Sequence, residues 1–193
     1  ANVRHYDSAL IRCAVVGMAT DEIRRAAEAS RAALETAIKA IKPGVVARDV
    51  HRAAKAELDR HGFGKYFDHR IGYGIGVEFL TWIERGGVSL DGGSEQVLEP
   101  NMTLHIIPYF KVPGQYSIGF SETVRVSAAG CEVLTSFPRT LTEAPLRGAS
   151  AAKNRAAAKG GARTARAAKK KPRPAKARTA KGASSRPKPR GRA

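Results

Sequence analysis

The sequence predicts an α+β domain followed by a basic extension, and three observations lead to that prediction. A strand-like segment opens the chain, two segments with helical spacing of apolar residues follow, and short strand-like segments separated by turns complete residues 1–145. Helices and strands that are segregated in this way are typical of α+β folds. A chain of 193 residues is long enough to bury one core.

The first helix is predicted over residues 21–41. Thr20 is a favourable N-cap, and the two acidic residues after it suit the positive end of a helix dipole. One face carries the small Ser30 together with apolar residues at helical spacing: Ile23, Ala27, Leu34, Ile38 and Ile41. We expect this face to be buried.

The second helix is predicted over residues 47–61. A Pro-Gly pair separates it from the first helix, and Gly62 is placed to cap its C-terminal end. Its buried face is formed by Val50, Ala54 and Leu58. The charged residues between these positions are expected to face solvent.

The remaining elements are predicted as strands. Residues 3–17 open the chain as a strand, with residues 9–16 richest in β-formers. A second Pro-Gly pair separates residues 103–111 from residues 116–126 and indicates a hairpin. A further turn leads into residues 131–135. The order of elements therefore predicts two helices packed on an antiparallel sheet.

Residues 146–193 are predicted to be a disordered tail. The segment 151–193 contains 16 Lys and Arg, no Asp or Glu and no aromatic residue, whereas residues 1–150 hold 18 basic and 17 acidic residues. Alanine, lysine, arginine and proline cannot bury enough apolar surface to offset the entropy of ordering. The net charge of +17 therefore describes the tail, which favours non-specific binding of DNA or RNA.

The number of cysteines and the length of the apolar runs indicate in which cellular compartment the protein is expected. Cys13 and Cys131 are far apart in sequence, so neither a disulfide framework nor a paired cysteine metal motif is indicated. No apolar run approaches the roughly 20 residues that cross a bilayer, and no signal-peptide pattern is present. We therefore predict a cytoplasmic protein without membrane contact.

Three motifs are candidates for chemistry. HRIGYGIG begins at His69 and is soon followed by TWIE, HIIPYF begins at His105, and FSETV begins at Phe120. Taken alone, the glycine spacing of GYGIG indicates only close backbone packing, because no helix pattern follows it as in a dinucleotide site. His105 alone is equally typical of a hydrogen-bonded interior histidine. Only the combination of motifs points to a site.

In this order the three motifs resemble the C-terminal catalytic region of the creatinase, methionine aminopeptidase and Xaa-Pro peptidase family, the pita-bread hydrolases. The resemblance implies the C-terminal part of that catalytic domain over residues 1–145, with a curved antiparallel sheet, and C–N bond hydrolysis as the reaction. It also implies that more of the domain precedes Ala1. We therefore expect a truncated piece, and inactivity of the isolated chain is one expected outcome.

The same resemblance implies that the family's metal ligands are replaced in this chain. Its ligand positions correspond to Ala9, Tyr73, Ile107 and Ser121, and a further one would precede Ala1. Divalent metal sites need several converging oxygen or nitrogen ligands, which these four residues do not supply. We therefore predict no metal and no other cofactor.

The residues that are present resemble the metal-independent branch, which includes creatinase and ectoine hydrolases. The resemblance implies His105, Glu84 and Glu122 as catalytic residues and Tyr73 and Trp82 as substrate-binding residues. Such a set suits C–N hydrolysis, which needs a base to activate water or a carboxylate nucleophile, and an acid for the leaving nitrogen. The aromatic residues could pack against a small ring or a cation.

Glu122 presents a conflict that the sequence leaves open. It shares strand parity with the apolar Phe120 and Val124, whereas the family's ligand position falls on Ser121, on the opposite face. Either a bulge changes the facing, or Glu122 supports the site from outside the reacting cluster. A buried acid on an apolar stripe also requires a partner, which the sequence does not identify.

Two functions are carried forward. The first is a C–N hydrolase of this family that acts on a small nitrogenous compound or a short peptide. The second is a non-specific nucleic-acid-binding protein that uses residues 151–193, which resemble the tails of linker histones. Exposed strand edges would also allow a second copy of the chain to pair, so a homodimer is among the expected partners.

Overall fold

The computed structural model describes residues 1–77 and 87–145. Its strands and helices follow the predicted order, with additional short strands at both ends. The strands are β1 (Asn2–Val3), β2 (Tyr6–Asp7), β3 (Ala14–Val16), β4 (Gly72–Gly74), β5 (Ser89–Leu90), β6 (Thr103–Ile106), β7 (Phe110–Val112), β8 (Tyr116–Ile118), β9 (Glu122–Ser127), β10 (Gly130–Val133) and β11 (Thr142–Ala144). The helices are α1 (Asp21–Ala40), α2 (Ala47–Arg60) and a short 3₁₀ helix (Gly64–Tyr66).

Helix α1 begins and ends close to the predicted bounds. The Thr20 hydroxyl accepts a hydrogen bond from the Ile23 amide at 3.3 Å, so the predicted N-cap is present. Its buried face is richer in alanine than the predicted stripe, and Ile23 and Ile38 are only half-buried. The fully enclosed positions are Ala26, Ala29, Ser30, Ala33, Leu34 and Ala37. Small side chains at these positions let neighbouring elements approach the helix closely.

Helix α2 is as the sequence predicts. Val50, Ala54 and Leu58 are fully buried. Gly62 follows the helix with φ of +80°, a left-handed conformation that glycine adopts without strain. Both helices contribute to one apolar core with the sheet, which includes Leu34, Leu58, Leu104, Ile106, Val124 and Val126.

The main sheet has five strands in the order β10, β9, β6, β4, β5, and every neighbouring pair is antiparallel. The predicted hairpin of residues 103–126 is present, but it is divided into two consecutive pairs of strands. Strand β6 pairs with β9, and β7 pairs with β8 around the second Pro-Gly turn. The interruption lies at residues 107–109 and 119–121, where a Cβ on Gly119 would approach the Cβ of Tyr109 to 2.9 Å.

The N-terminal region differs from the prediction of one long strand. Only Ala14–Val16 forms strand β3, and it pairs in parallel with β11, a strand that the sequence did not indicate. Residues 8–11 instead run beside the main sheet and are held by side chains of β9 and of Ser121. Over the ranges 1–77 and 87–145, no helix has the length and apolarity of a membrane span.

Candidate active site

The two faces of the main sheet differ in chemistry. Tyr73 on β4, His105 on β6 and Thr123 on β9 are aligned partners across three strands, so their side chains share one face. The neighbouring residues Gly72, Ile106 and Glu122 are aligned in the same way on the other face, towards the helices. The polar face therefore carries the candidate site.

His105 is the centre of this face. Only 2% of its surface is exposed, and both ring nitrogens have partners. Nδ1 lies 2.8 Å from the Tyr73 hydroxyl, and Nε2 lies 2.8 Å from Oγ of Ser121. The Tyr73 and His105 rings meet edge to face, with centroids 5.2 Å apart. Both rotamers are thus fixed by packing as well as by hydrogen bonds.

Ser121 is held by the backbone as well as by His105. The Ile11 amide donates to Oγ of Ser121 at 2.6 Å, which leaves that oxygen its proton and one lone pair for the contact with Nε2 of His105. Either tautomer of the neutral ring fits these contacts, with one ring nitrogen donating and the other accepting. Burial lowers the pKa of His105 from 6.5 to about 4, so the ring is neutral at physiological pH.

Burial also shifts the pKa of Tyr73. This residue is the more accessible end of the hydrogen-bonded series Tyr73–His105–Ser121. Its side chain is half-buried, and removal from water raises the pKa of its hydroxyl above the ordinary value of 10. All three groups are therefore uncharged at neutral pH. The arrangement can pass a proton along neutral hydrogen-bonded groups, but it does not present a fixed charge.

The polar face is closed by residues 8–11. The Ala9 amide donates to Oγ1 of Thr123 at 2.9 Å, and the Thr123 hydroxyl donates back to the Ala9 carbonyl at 2.8 Å. The Ser121 amide donates to the Ile11 carbonyl at 3.1 Å. Side chains of the sheet thus hold an irregular segment over His105, which accounts for the burial of that ring.

Glu122 lies on the opposite face and does not join this group. Its side chain is 1% exposed and accepts hydrogen bonds from Arg12 at 2.6 Å, from Arg139 at 2.7 Å and from the Thr135 hydroxyl. Of the two alternatives left open by the sequence, the contacts favour Glu122 as a supporting residue. The family's ligand position, Ser121, is the residue that faces His105.

The five predicted site residues therefore separate into three groups. Tyr73 and His105 are brought together, whereas Glu122 is held apart in an ion cluster. Glu84 and Trp82 lie outside the described residues, so their roles stay predictions. Ser121 was noted in the sequence only as a replaced ligand, and its contact with His105 becomes visible only in the folded chain.

The family-specific ligand positions do not form a metal-binding donor set. Ala9 and Ile107 have no donor side chain, and the hydroxyls of Tyr73 and Ser121 are engaged by His105. Within residues 1–77 and 87–145, no three His, Cys, Asp or Glu side chains are grouped so as to hold a metal ion. The residues present at these positions do not fit a divalent metal pair.

Comparison with known proteins identifies the family to which this chain is similar. Residues 1–128 match metallopeptidase family M24. An uncharacterised hydrolase/peptidase of Sinorhizobium fredii is 41% identical over 142 residues, which are 73% of this chain and 35% of that protein. The ectoine hydrolase of Halomonas elongata is 32% identical over 139 residues, covering 72% of this chain and 34% of that protein.

A solved structure agrees with the fold. The X-Pro aminopeptidase of Thermotoga maritima superposes with a TM-score of 0.66 at 26% identity, over 74% of this chain and 38% of that one. The chain thus spans about a third of the length of these relatives. The α+β pita-bread fold expected from the three motifs is confirmed, and the chain belongs to metallopeptidase family M24.

Proposed function

We propose that the protein is a metal-independent hydrolase that opens a C–N bond in a small nitrogenous compound or a short peptide, with His105 as its acid–base residue. The observation that carries this proposal is the chain Tyr73–His105–Ser121, with both ring nitrogens of His105 at 2.8 Å from a hydroxyl. Two of its three members, Tyr73 and Ser121, stand where the resemblance implies metal ligands in other members of the family.

Hydrolysis of an amide or amidine needs a proton removed from water and a proton delivered to the leaving nitrogen. The neutral His105 ring holds one N–H and one lone pair, so one ring nitrogen can accept a proton while the other releases one to its hydroxyl partner. With its pKa lowered to about 4, His105 is a weak base on its own. A nearby carboxylate would make it a stronger one.

Glu84 is assigned that role, and Trp82 and Tyr73 are assigned to hold the substrate. Glu84 and Trp82 follow Tyr73 within eleven residues in the sequence, and Tyr73 is the accessible end of the hydrogen-bonded chain. Glu122 is assigned a supporting role, because its carboxylate accepts hydrogen bonds from Arg12, Arg139 and Thr135. Only 1% of its side chain is exposed, so a substrate would have little access to it.

Substitution of His105 tests the proposed chemistry. His105→Ala should lower turnover about a hundredfold or more, the usual scale for removing an acid–base group. His61→Ala is a matched control, since the His61 ring hydrogen-bonds with Glu57 at 3.1 Å, at the C-terminal end of α2. Steady-state kinetics of the purified chain would measure both variants.

The substrates to assay follow from the relatives, one named for Xaa-Pro peptides and one for ectoine. A panel of Xaa-Pro dipeptides, ectoine and amidines such as creatine covers the predicted chemistry. Hydrolysis should survive dialysis against EDTA. Activity that depends on added Mn²⁺, Co²⁺ or Zn²⁺, or full activity of His105→Ala, would contradict the proposal.

The basic tail supports a second candidate function, non-specific nucleic-acid binding. The 16 positive charges of residues 151–193 and the absence of acids there allow neutralisation of phosphates, while the absence of aromatic residues leaves no side chain for stacking on bases. Counter-ion release would then supply nearly all of the affinity. This function is independent of the site around His105.

Salt dependence tests the role of the tail. With about half of the charges engaged, log K should fall with log salt with a slope of roughly −7 on duplex DNA. Fluorescence anisotropy would compare the full chain with a chain ending at residue 150. Equal binding by the two chains, or binding that does not respond to salt, would remove this second function and leave the hydrolase proposal unaffected.

A further inference from the structure

Arg12 is a largely buried cation that uses every donor of its guanidinium group. Its side chain is 12% exposed. Nε donates to the Pro138 carbonyl at 2.7 Å, and Nη2 donates to Glu122 at 2.6 Å and to the Phe137 carbonyl at 2.5 Å. Nη1 donates to two further carbonyls. Five donors with five acceptors leave the side chain no freedom to turn.

The two acceptors of Nη1 connect Arg12 to the candidate site. They are the carbonyl of Ile11, at 2.8 Å, and the carbonyl of Ser121, at 2.7 Å. These same two residues are joined by the Ser121 amide, which donates to the Ile11 carbonyl, and by the Ile11 amide, which donates to Oγ of Ser121. A single nitrogen of Arg12 therefore fixes the backbone pair that orients the Ser121 hydroxyl.

We propose that Arg12 is a positioning residue for His105, acting through Ser121, and that Glu122 holds Arg12 in place. The proposal rests on the function assigned to His105 and extends it to residues with no contact to the imidazole. The Ile11 amide donates to Oγ of Ser121 at 2.6 Å, and the same oxygen lies 2.8 Å from Nε2 of His105. By fixing the Ile11–Ser121 pair, Arg12 holds the ring in one hydrogen-bonded arrangement between Ser121 and Tyr73.

Lysine is the informative replacement at position 12. Arg12→Lys keeps the positive charge for Glu122 but has three donors on one flexible nitrogen, so it cannot reproduce the fork that spans the two carbonyls. The residual freedom of Ser121 should lower kcat about 10- to 100-fold with little change in KM, the scale associated with misplacement of a reacting group. Arg125→Lys is the matched control, because Arg125 lies on β9, the strand of Glu122, and pairs with the exposed Glu132 at 2.6 Å.

A double-mutant cycle separates positioning from general stability. If Arg12 acts through the serine hydroxyl, Arg12→Lys should lower kcat less than about twofold in a Ser121→Ala background. A merely structural role predicts the same loss in both backgrounds. Equal losses would overturn the proposal, as would an Arg12→Lys variant with the kinetics of the wild type while Ser121→Ala is impaired.

Nuclear magnetic resonance of the imidazole gives a second readout that needs no turnover. In the wild type, ¹⁵N-detected ring signals should report a neutral His105 in one predominant tautomer. In Arg12→Lys they should shift towards a mixture of tautomers, and the Arg125→Lys signals should match the wild type. Unchanged His105 signals in Arg12→Lys would overturn the proposal. Altered signals together with an active His105→Ala variant would instead remove the proposed catalytic role and retain the link from Arg12 to His105.

Discussion

Ser121 and Glu122 are neighbours in sequence and belong to two buried polar clusters of different character. Ser121 joins Tyr73 and His105, three groups that are uncharged at neutral pH and share single hydrogen bonds. Glu122 joins Arg12 and Arg139 in a charged cluster on the other face of the strand. The alternation of a strand sends adjacent side chains into two separate environments.

The contrast sets a neutral cluster, to which the proposed function assigns the chemistry, beside a charged cluster that holds chain segments together. A neutral cluster of hydroxyls and imidazole can exchange protons, because none of its members is committed to a fixed charge. The buried carboxylate of Glu122 is committed to a fixed charge, since removing it leaves Arg12 and Arg139 without their anion. We therefore expect substitutions on the Ser121 face to change turnover and substitutions on the Glu122 face to change stability.

The largest expected effect is on the charged cluster. Glu122→Ala leaves Arg12 and Arg139 without their carboxylate and should lower the free energy of unfolding by about 3 to 5 kcal/mol. Glu132→Ala is the control, because it removes an exposed ion pair with Arg125 on the same sheet and should cost about 1 kcal/mol or less. Urea denaturation would measure both. Similar losses for the two variants would show that the Glu122 cluster is not a buried anchor.

The second largest expected effect is the dependence of stability on pH that arises from His105 in the neutral cluster. The unfolded chain protonates His105 near pH 6.5, whereas burial lowers the pKa in the folded chain to about 4. Between these values the unfolded state binds more protons, so stability falls as the pH is lowered, by up to about 3 kcal/mol from this residue. In His105→Gln this contribution is absent. Urea denaturation at pH 7 and pH 4 should show a smaller loss for the variant, and an equal loss would contradict the assignment.

A smaller effect on stability is expected at Gly72, which lies on β4 and packs closely against the backbone of β6. A Cβ at this position would lie 2.6 Å from the His105 carbonyl oxygen and 3.0 Å from Cδ1 of Ile106. Gly72→Ala should therefore destabilise the domain by about 2 kcal/mol and displace His105. Gly130→Ala, at a strand position with no atom within 4 Å of the added Cβ, is the control. Thermal unfolding of the two variants would compare them, and equal midpoints would argue against close packing at Gly72.

Local sequence was sufficient for the elements that local physics decides. The Thr20 cap, the Gly62 terminus and the α2 stripe all follow from hydrogen bonding and spacing within a few residues. The same holds for the parity of Glu122, which placed it correctly on an apolar stripe. Long-range pairing was less accessible, since the parallel contact of β3 with β11 joins residues about 128 positions apart through unremarkable sequence.

The candidate site, too, has parts that the sequence predicts and parts that only the fold reveals. The motif order was enough to identify the family. The two candidate residues that it named in adjacent motifs, Tyr73 and His105, are aligned across paired strands. Only the tertiary structure shows that Ser121 rather than Glu122 meets His105, and that the partners of Glu122 are Arg12 and Arg139. Those contacts depend on where residues 8–12 and 135–139 pass beside strand β9, and no local spacing encodes that path. Sequence therefore determined the family and the candidate groups that are present, and the fold decided which of those groups are neighbours.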